Sequence, residues 1–138
     1  MADTIRRIDY YYTTVSDKPG EAARILNALH GAGINFLAFS GFPSGARRAQ
    51  LDFIPESGGE FAKAAKKAGV KLSARKTGFL IQGDDRPGTL AEIASKLGAA
   101  GINITAVDAI CSGEGKYGAL LWVKAPDVRR AAKVLGAA

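Results

Sequence analysis

Two short motifs in this 138-residue sequence each occur twice and carry groups that can hold a small charged molecule. The first is Asp-x-Pro-Gly, at residues 17–20 and 85–88, and the second is Gly-Ile-Asn, at residues 33–35 and 101–103. Backbone N–H groups at the start of a helix attract a carboxylate, whereas an Asp carboxylate or an Asn carbonyl accepts a hydrogen bond from an ammonium group. Glycine has no Cβ and permits close approach to the backbone. These residue types suit a ligand that carries both a carboxylate and an ammonium group.

The two motifs belong to a longer internal repeat. Both recur at an offset of 68 positions, from residue 17 to residue 85 and from residue 33 to residue 101. Residues 17–35 and 85–103 are identical at ten of nineteen positions without a gap. Such self-similarity indicates one structural unit that is present in two copies. We therefore expect a first module over residues 1–76 and a second module over residues 77–138.

Each copy contains the same order of predicted elements: strand, helix, strand, strand and helix. A strand over residues 8–15, or its counterpart over residues 78–82, precedes the motif turn, and the following helix ends before Gly33 or Gly101. A hairpin and a second helix follow in each copy, and residues 70–74 supply a final strand in the first copy only. The prediction is an α+β protein of two ferredoxin-like βαββαβ modules in tandem, the second lacking its last strand, with antiparallel sheets and the helices on one face.

These motifs resemble those of the ACT family, whose members place a D/N-x-P-G turn before the first helix and a G-[IV]-N segment after it. The resemblance covers nearly the whole chain. It implies a regulatory or sensor protein that binds an amino acid or a related small metabolite at these turns, often at an interface between two modules. The candidate ligand contacts are Asp17, Lys18, Pro19, Gly20 and Asn35 in the first copy and Asp85, Arg86, Pro87, Gly88, Asn103 and Asp108 in the second.

Other interpretations of the same residues stay open. Asp before Pro-Gly also starts turns and helices, and Asn after Gly can satisfy local backbone groups without a ligand. The helix-free face of the sheet and the unpaired edge of the second module suit a ligand-free module that docks onto an enzyme subunit or a regulator. The same incomplete sheet leads us to expect a homodimer. The net charge of +6 makes RNA binding through basic helix faces a minor alternative, although interspersed acidic residues argue against a nucleic-acid partner.

Composition and motif context exclude several classes of protein. Hydrophobic residues make up 47% of the chain, which is enough for a core, yet no apolar run could span a bilayer or serve as a secretory signal. We therefore expect a cytoplasmic protein without a membrane partner. Residues 113–118 match G-x-G-x-x-G, but a strand is predicted after them, so they indicate a hairpin loop. Cys111 is expected to be a small packed side chain. No nucleophile with a base and no metal-ligand spacing is found, so we predict no enzyme, no metal and no cofactor.

Overall fold

The computed structural model describes residues 3–138 and contains two compact units. The first unit is Asp9–Lys76, and the second unit comprises the residues up to Ile8 together with Thr77–Ala138. The strands are β1 (Thr4–Ser16), β2 (Phe36–Gly45), β3 (Arg48–Pro55), β4 (Lys76–Asp84), β5 (Ala106–Gly113) and β6 (Lys116–Trp122). The helices are α1 (Glu21–Gly31), α2 (Gly58–Lys67), α3 (Thr89–Ala99) and α4 (Val128–Leu135), the last preceded by a 3-10 turn over Ala125–Asp127. The predicted α+β fold with antiparallel strands is confirmed.

Each unit has its own strand order and its own core. The order is β2-β3-β1 in the first unit and β1-β4-β6-β5 in the second. The first core is centred on Phe53, Phe61 and Leu29, which are fully buried. The second core contains Ile93 and Leu97, whose spacing of four residues places both on one face of α3. Because side chains alternate along a strand, every second residue of the sheet faces these helices.

The two halves keep the 68-residue offset in their hydrogen bonds. The N–H of Asp17 donates to the carbonyl of Arg47 at 2.8 Å, and the N–H of Asp85 donates to the carbonyl of Gly115 at the same distance. Residues 47 and 115 are themselves 68 positions apart. The β2–β3 and β5–β6 hairpins also have registers related by this offset. The repeat seen in the sequence is therefore a repeat of backbone structure.

Strand β1 is longer than predicted and contributes residues to both units. Its residues up to Ile8 belong to the second unit, where they lie beside β4, and its residues from Asp9 onward belong to the first. The N–H of Arg7 donates to the carbonyl of Ala138 at 3.2 Å, and the N–H of Ala138 donates to the carbonyl of Ile5 at 3.1 Å. The edge that the sequence predicts to be unpaired is thus occupied by residues 4–8. The module boundary at residue 76 does not include this contribution.

The final strand predicted over residues 70–74 is not formed as a regular strand. This segment nevertheless runs along β1, since the N–H of Ser73 donates to the carbonyl of Tyr12 at 2.8 Å. The hydroxyl of Ser73 accepts from the N–H of Tyr12, and the hydroxyl of Thr13 donates to the carbonyl of Lys71. Side-chain hydroxyls replace part of the backbone ladder here, which explains why the β-like sequence does not give a complete strand.

The outer faces of the helices are polar. Basic side chains are exposed on two of them: Lys63, Lys66 and Lys67 on α2, and Arg129, Arg130 and Lys133 on α4. Charges in these positions are solvated, as is usual for the outer face of an amphipathic helix. No helix in the described part of the chain is both long enough and apolar enough to cross a membrane.

Gly78 in β4 lies where an added side chain would press on Trp122. A Cβ at this position would lie 3.3 Å from Trp122 Cδ1 and 3.4 Å from Ile8 Cδ1, and Trp122 is only 6% exposed. We expect Gly78→Ala to lower the free energy of unfolding by about 1–3 kcal/mol, measured by urea denaturation, because an added methyl group strains buried side chains that are already closely packed. The control is Gly118→Ala on the adjacent strand, where the nearest atom would be 3.8 Å away. Equal losses in the two variants would contradict this prediction.

Candidate ligand-binding site

The second Asp-x-Pro-Gly turn connects β4 to α3 and leaves the start of that helix accessible. Gly88 is the N-cap residue, with φ +87° in the left-handed region that favours glycine, and no side chain caps the helix. A Cβ at Gly88 would meet no atom within 4 Å. By helix geometry the N–H groups of Leu90 and Ala91 have no intrahelical partner. The turn therefore presents backbone donors to an open space.

A pocket of about 340 Å³ lies at this turn. Its lining is Asp85, Arg86, Gly88, Thr89, Leu90, Ala91, Ala109, Ile110, Cys111 and Tyr117. The turn supplies the two charged groups, the first turn of α3 supplies N–H groups, and β5 and β6 supply the remaining wall. Ligand pockets usually range from about 300 to 1,000 Å³, so this one suits a small molecule.

Asp85 and Cys111 interact across the pocket. The Cys111 thiol donates to Oδ2 of Asp85 at 3.1 Å. This hydrogen bond and the charge of Asp85 raise the pKa of the Cys111 thiol, which keeps the thiol protonated and able to donate at neutral pH. Cys111 is exposed, so its prediction as a packed side chain is wrong. The reason is that β5 is exposed along its whole length.

Arg86 is held by an acidic residue one turn into α3. The ion pair is bidentate: Arg86 Nη1 donates to Glu92 Oε1 at 3.1 Å, and Arg86 Nη2 donates to Glu92 Oε2 at 2.6 Å. The hydrogen bonds between the two side chains, together with the negative charge of Glu92, raise the pKa of Arg86. The same hydrogen bonds, together with the positive charge of Arg86, lower the pKa of Glu92. Both side chains reach solvent. This ion pair places the guanidinium at the pocket wall.

A buried polar pair stands behind the charged groups. The hydroxyl of Thr89 donates to the hydroxyl of Tyr117 at 3.4 Å, and both residues are buried. Burial is the main cause that raises the pKa of Tyr117. The Tyr117 hydroxyl therefore stays protonated at neutral pH and remains a hydrogen-bonding group at the floor of the pocket.

The structure brings together some of the predicted residues of the second copy but not all of them. Asp85, Arg86 and Gly88 line the pocket. Pro87, Asn103 and Asp108 are described residues outside this lining, and all three are exposed. The prediction did not include Thr89, Leu90, Ala91, Ala109, Ile110, Cys111 and Tyr117. Alignment of the two copies at the 68-residue offset could have pointed to two of these residues. Tyr117 and Cys111 in the second copy stand where the first copy has Ala49 and Pro43.

The first copy of the turn has the same backbone but different side chains. Gly20 is its N-cap at φ +91°, and Asp17, Lys18 and Pro19 are exposed, as is Asn35. The carbonyl of Asn35 accepts from the N–H of Glu56 at 3.2 Å, which is a structural role. Glu21 takes the place of Thr89 at the first position of the helix.

Glu21 makes the first turn a poorer site for an anionic group. It pairs with Arg24 at 3.4 Å, and this hydrogen bond is the main cause that lowers the pKa of its carboxyl group. The helix start in the first unit thus has a carboxylate of its own, which repels a second negative charge. The corresponding position in the second unit is the neutral hydroxyl of Thr89.

Comparisons with solved structures show a shared fold. The chain shares its fold with a protein from Bacteroides thetaiotaomicron at 17% identity, with a TM-score of 0.82 over 96% of this chain and 88% of that one. It also shares its fold with the ligand-free regulatory subunit of aspartate kinase from Thermus thermophilus, at 17% identity and a TM-score of 0.67 over 99% and 95% of the two chains. The Thermus flavus subunit is similar at 18% identity, 98% and 94% coverage and a TM-score of 0.61.

Sequence comparison gives a narrower result. No curated protein sequence matches this chain. The family model that matches is that of the ACT domain, and it covers residues 79–138. That range contains α3, β5, β6 and the whole lining of the pocket. The part of the chain that matches the ACT domain family is thus the part that holds the pocket.

Proposed function

We propose that this chain is a small, non-catalytic regulatory or sensor protein that binds an amino acid, or a related small metabolite, in the pocket beside α3. One observation carries the proposal. The pocket sets a carboxylate (Asp85), a guanidinium (Arg86) and the uncapped start of a helix around one small volume. The ACT domain match over the same residues and the fold shared with regulatory subunits of aspartate kinase support it.

The arrangement matches the charges of an amino acid. A ligand carboxylate is attracted by Arg86 and by the N–H groups of Leu90 and Ala91, because a helix N-terminus and a guanidinium both favour anions. The ligand ammonium is attracted by the Asp85 carboxylate. The ligand side chain then meets Ile110 on β5. A ligand with only one of the two charges makes only one of these charge-assisted contacts and binds less tightly.

Regulation would follow from a difference in affinity between two arrangements of the protein. A ligand shifts such an equilibrium only as far as its affinities for the two states differ. In this proposal the responding partner is a second copy of the chain or a regulated enzyme. No cofactor or metal takes part.

The proposal predicts a rise in melting temperature with one amino acid or a few related ones. A ligand that binds only the folded state stabilises it by mass action, so the twenty common amino acids can be screened individually by thermal denaturation. For the amino acid that stabilises most, Asp85→Asn is expected to weaken the affinity about 10- to 100-fold by calorimetry, since a hydrogen bond to a charged group contributes about 1.5–3 kcal/mol.

The matched control is Asp17→Asn at the equivalent turn of the first unit. It makes the same chemical change next to Glu21, and we expect it to leave the affinity unchanged. Equal affinity in Asp85→Asn and in the unmodified protein would rule out this pocket as the site. A flat response to all amino acids would argue against the effector-binding function itself.

The exposed strand β5 supports a second candidate function, that of a ligand-free interaction module. All of its residues are exposed, and Ile110 is 74% exposed in spite of its apolar side chain. An exposed apolar edge strand is a common docking surface for another chain. A flat amino-acid screen together with capture of a specific protein that Ile110→Ser no longer binds would favour this function.

A further inference from the structure

We infer that Glu92 is an affinity-determining residue of this pocket. Its carboxylate binds the Arg86 guanidinium when the pocket is empty and pairs with the Lys96 ammonium group when a ligand carboxylate binds Arg86. This inference rests on the pocket proposed above. It concerns a residue outside the pocket lining, and it assigns Glu92 two alternative partners.

Arg86 stands between two recesses. It lines the ligand pocket on one side and, on the other, a recess formed with Asp3, Ile5, Glu92, Ile93, Lys96 and Leu135. Both terminal nitrogens of the guanidinium already donate to the Glu92 carboxylate. A second carboxylate arriving from the pocket therefore meets a cation whose charge is balanced and two of whose five N–H donors are in use.

Glu92 has a second cation within reach on the same helix. Lys96 follows it by four residues on α3 and lines the same recess. A Glu followed by a Lys at this spacing is the favourable orientation for an ion pair on a helix surface. Lys96 already acts on Glu92, since its charge adds to that of Arg86 in lowering the pKa of the Glu92 carboxyl group.

The exchange of partners by Glu92 needs little movement of the chain. The Arg86 and Glu92 side chains are 43% and 59% exposed, so either can rotate without opening the core. Asp3 lines the same recess, and its charge adds to the effect of Glu92 in raising the pKa of the Arg86 guanidinium. The two arrangements of Glu92 then differ by one surface ion pair exchanged for another. The arrangement with Glu92 bound to Arg86 and the arrangement with Glu92 bound to Lys96 are therefore close in free energy, and a ligand can shift the equilibrium between them.

The first unit has no equivalent exchange. At the 68-residue offset, Glu92 corresponds to Arg24 and Lys96 corresponds to Ala28. In the first unit the position equivalent to Glu92 is therefore basic instead of acidic, and Lys18, the counterpart of Arg86, has no acidic residue at that position. The pair of alternative partners is a property of the second unit.

The experiment titrates each variant with sodium acetate at constant ionic strength and follows the Arg86 Nε–H signal by NMR. Acetate supplies the carboxylate alone, so the result does not depend on which amino acid binds. In Glu92→Gln we expect Arg86 to respond at about two- to fivefold lower acetate concentration, the range given by loss of one exposed ion pair. In Lys96→Gln we expect it to respond at higher concentration than in the unmodified protein, because Glu92 then has no second partner.

The control variant is Glu60→Gln, which removes an exposed acidic residue from the first turn of α2 and with it the same charge. Its acetate response is expected to equal that of the unmodified protein. Identical acetate responses of Glu92→Gln and the unmodified protein would overturn the inference. An unchanged Lys96→Gln would overturn the exchange of partners.

The amino-acid screen separates this result from the proposed function. If an amino acid binds, Glu92→Gln is expected to tighten it by a similar two- to fivefold factor. If no amino acid binds but acetate still distinguishes the variants as expected, the effector-binding function fails while the competition by Glu92 stands. If an amino acid binds to Glu92→Gln, Lys96→Gln and Glu60→Gln with the affinity of the unmodified protein, the effector-binding function stands and the role of Glu92 fails.

Discussion

Removal of all residues before Asp9 is expected to lower the free energy of unfolding of the second unit by about 3–6 kcal/mol, because two aliphatic side chains lose their burial. Ile5 packs against the second core and Ile8 is buried. The truncation also removes the hydrogen bonds between β1 and Ala138 and exposes the edge of β4. A loss of this size is a large fraction of the stability of a small domain.

Trp122 makes this loss measurable. It is the single tryptophan of the chain and lies in β6 of the second unit, so its fluorescence during urea denaturation reports on that unit. The control is a full-length Arg6→Ser, Arg7→Ser variant, which changes exposed side chains of the same segment and keeps its backbone bonds. An unchanged Trp122 transition in the truncated chain would show that residues 4–8 do not stabilise the second unit.

In the first unit, Phe53→Ala is expected to cost about 3–5 kcal/mol of unfolding free energy, the range for deleting a buried aromatic side chain. Phe53 is fully buried, and its ring centroid lies 5.2 Å from that of Phe61, 5.5 Å from that of Phe39 and 5.6 Å from that of Phe36. Aromatic pairs at such distances add to the stabilisation from burial alone. Its loss leaves a cavity that these rings cannot easily fill.

Phe42→Ala is the matched control for this variant. Phe42 lies on β2 and is 42% exposed, so the same truncation should cost less than about 1 kcal/mol. Circular dichroism during urea denaturation measures both variants. Similar midpoints for the two would mean that Phe53 is not at the centre of the first core.

The repeat and the local signals were sufficient to predict most of the fold. Glycine at the helix starts and ends, and apolar residues at helical spacing, mark elements that form through contacts close in sequence. Ile93 and Leu97 are buried as their spacing predicts. Leu90 lies three residues before Ile93 and continues the same helical pattern but is 42% exposed, because it lies at the open start of α3 beside the pocket.

The parts that were missed depend on contacts between distant residues. The sequence predicts a strand that begins only at residue 8, and it does not show that residues 4–8 extend this strand and lie beside β4, more than 65 positions later. The same holds for the pocket. Its charged groups lie in the motif, whereas Cys111 and Tyr117 reach it only through the pairing of β5 with β6. Periodicity gives the face of a strand, not its neighbour.

The division of β1 between two units also matters during synthesis. Residues 4–8 leave the ribosome well before β4, since the whole of Asp9–Lys76 is made between them. The first unit has its residues available early, whereas the second cannot close its sheet until β4 and β6 have also emerged. Until then residues 4–8 remain an unpaired strand, and such strands are prone to wrong pairings in nascent chains. Arg6 and Arg7 place two charges on this segment, which is how exposed edges commonly resist aggregation.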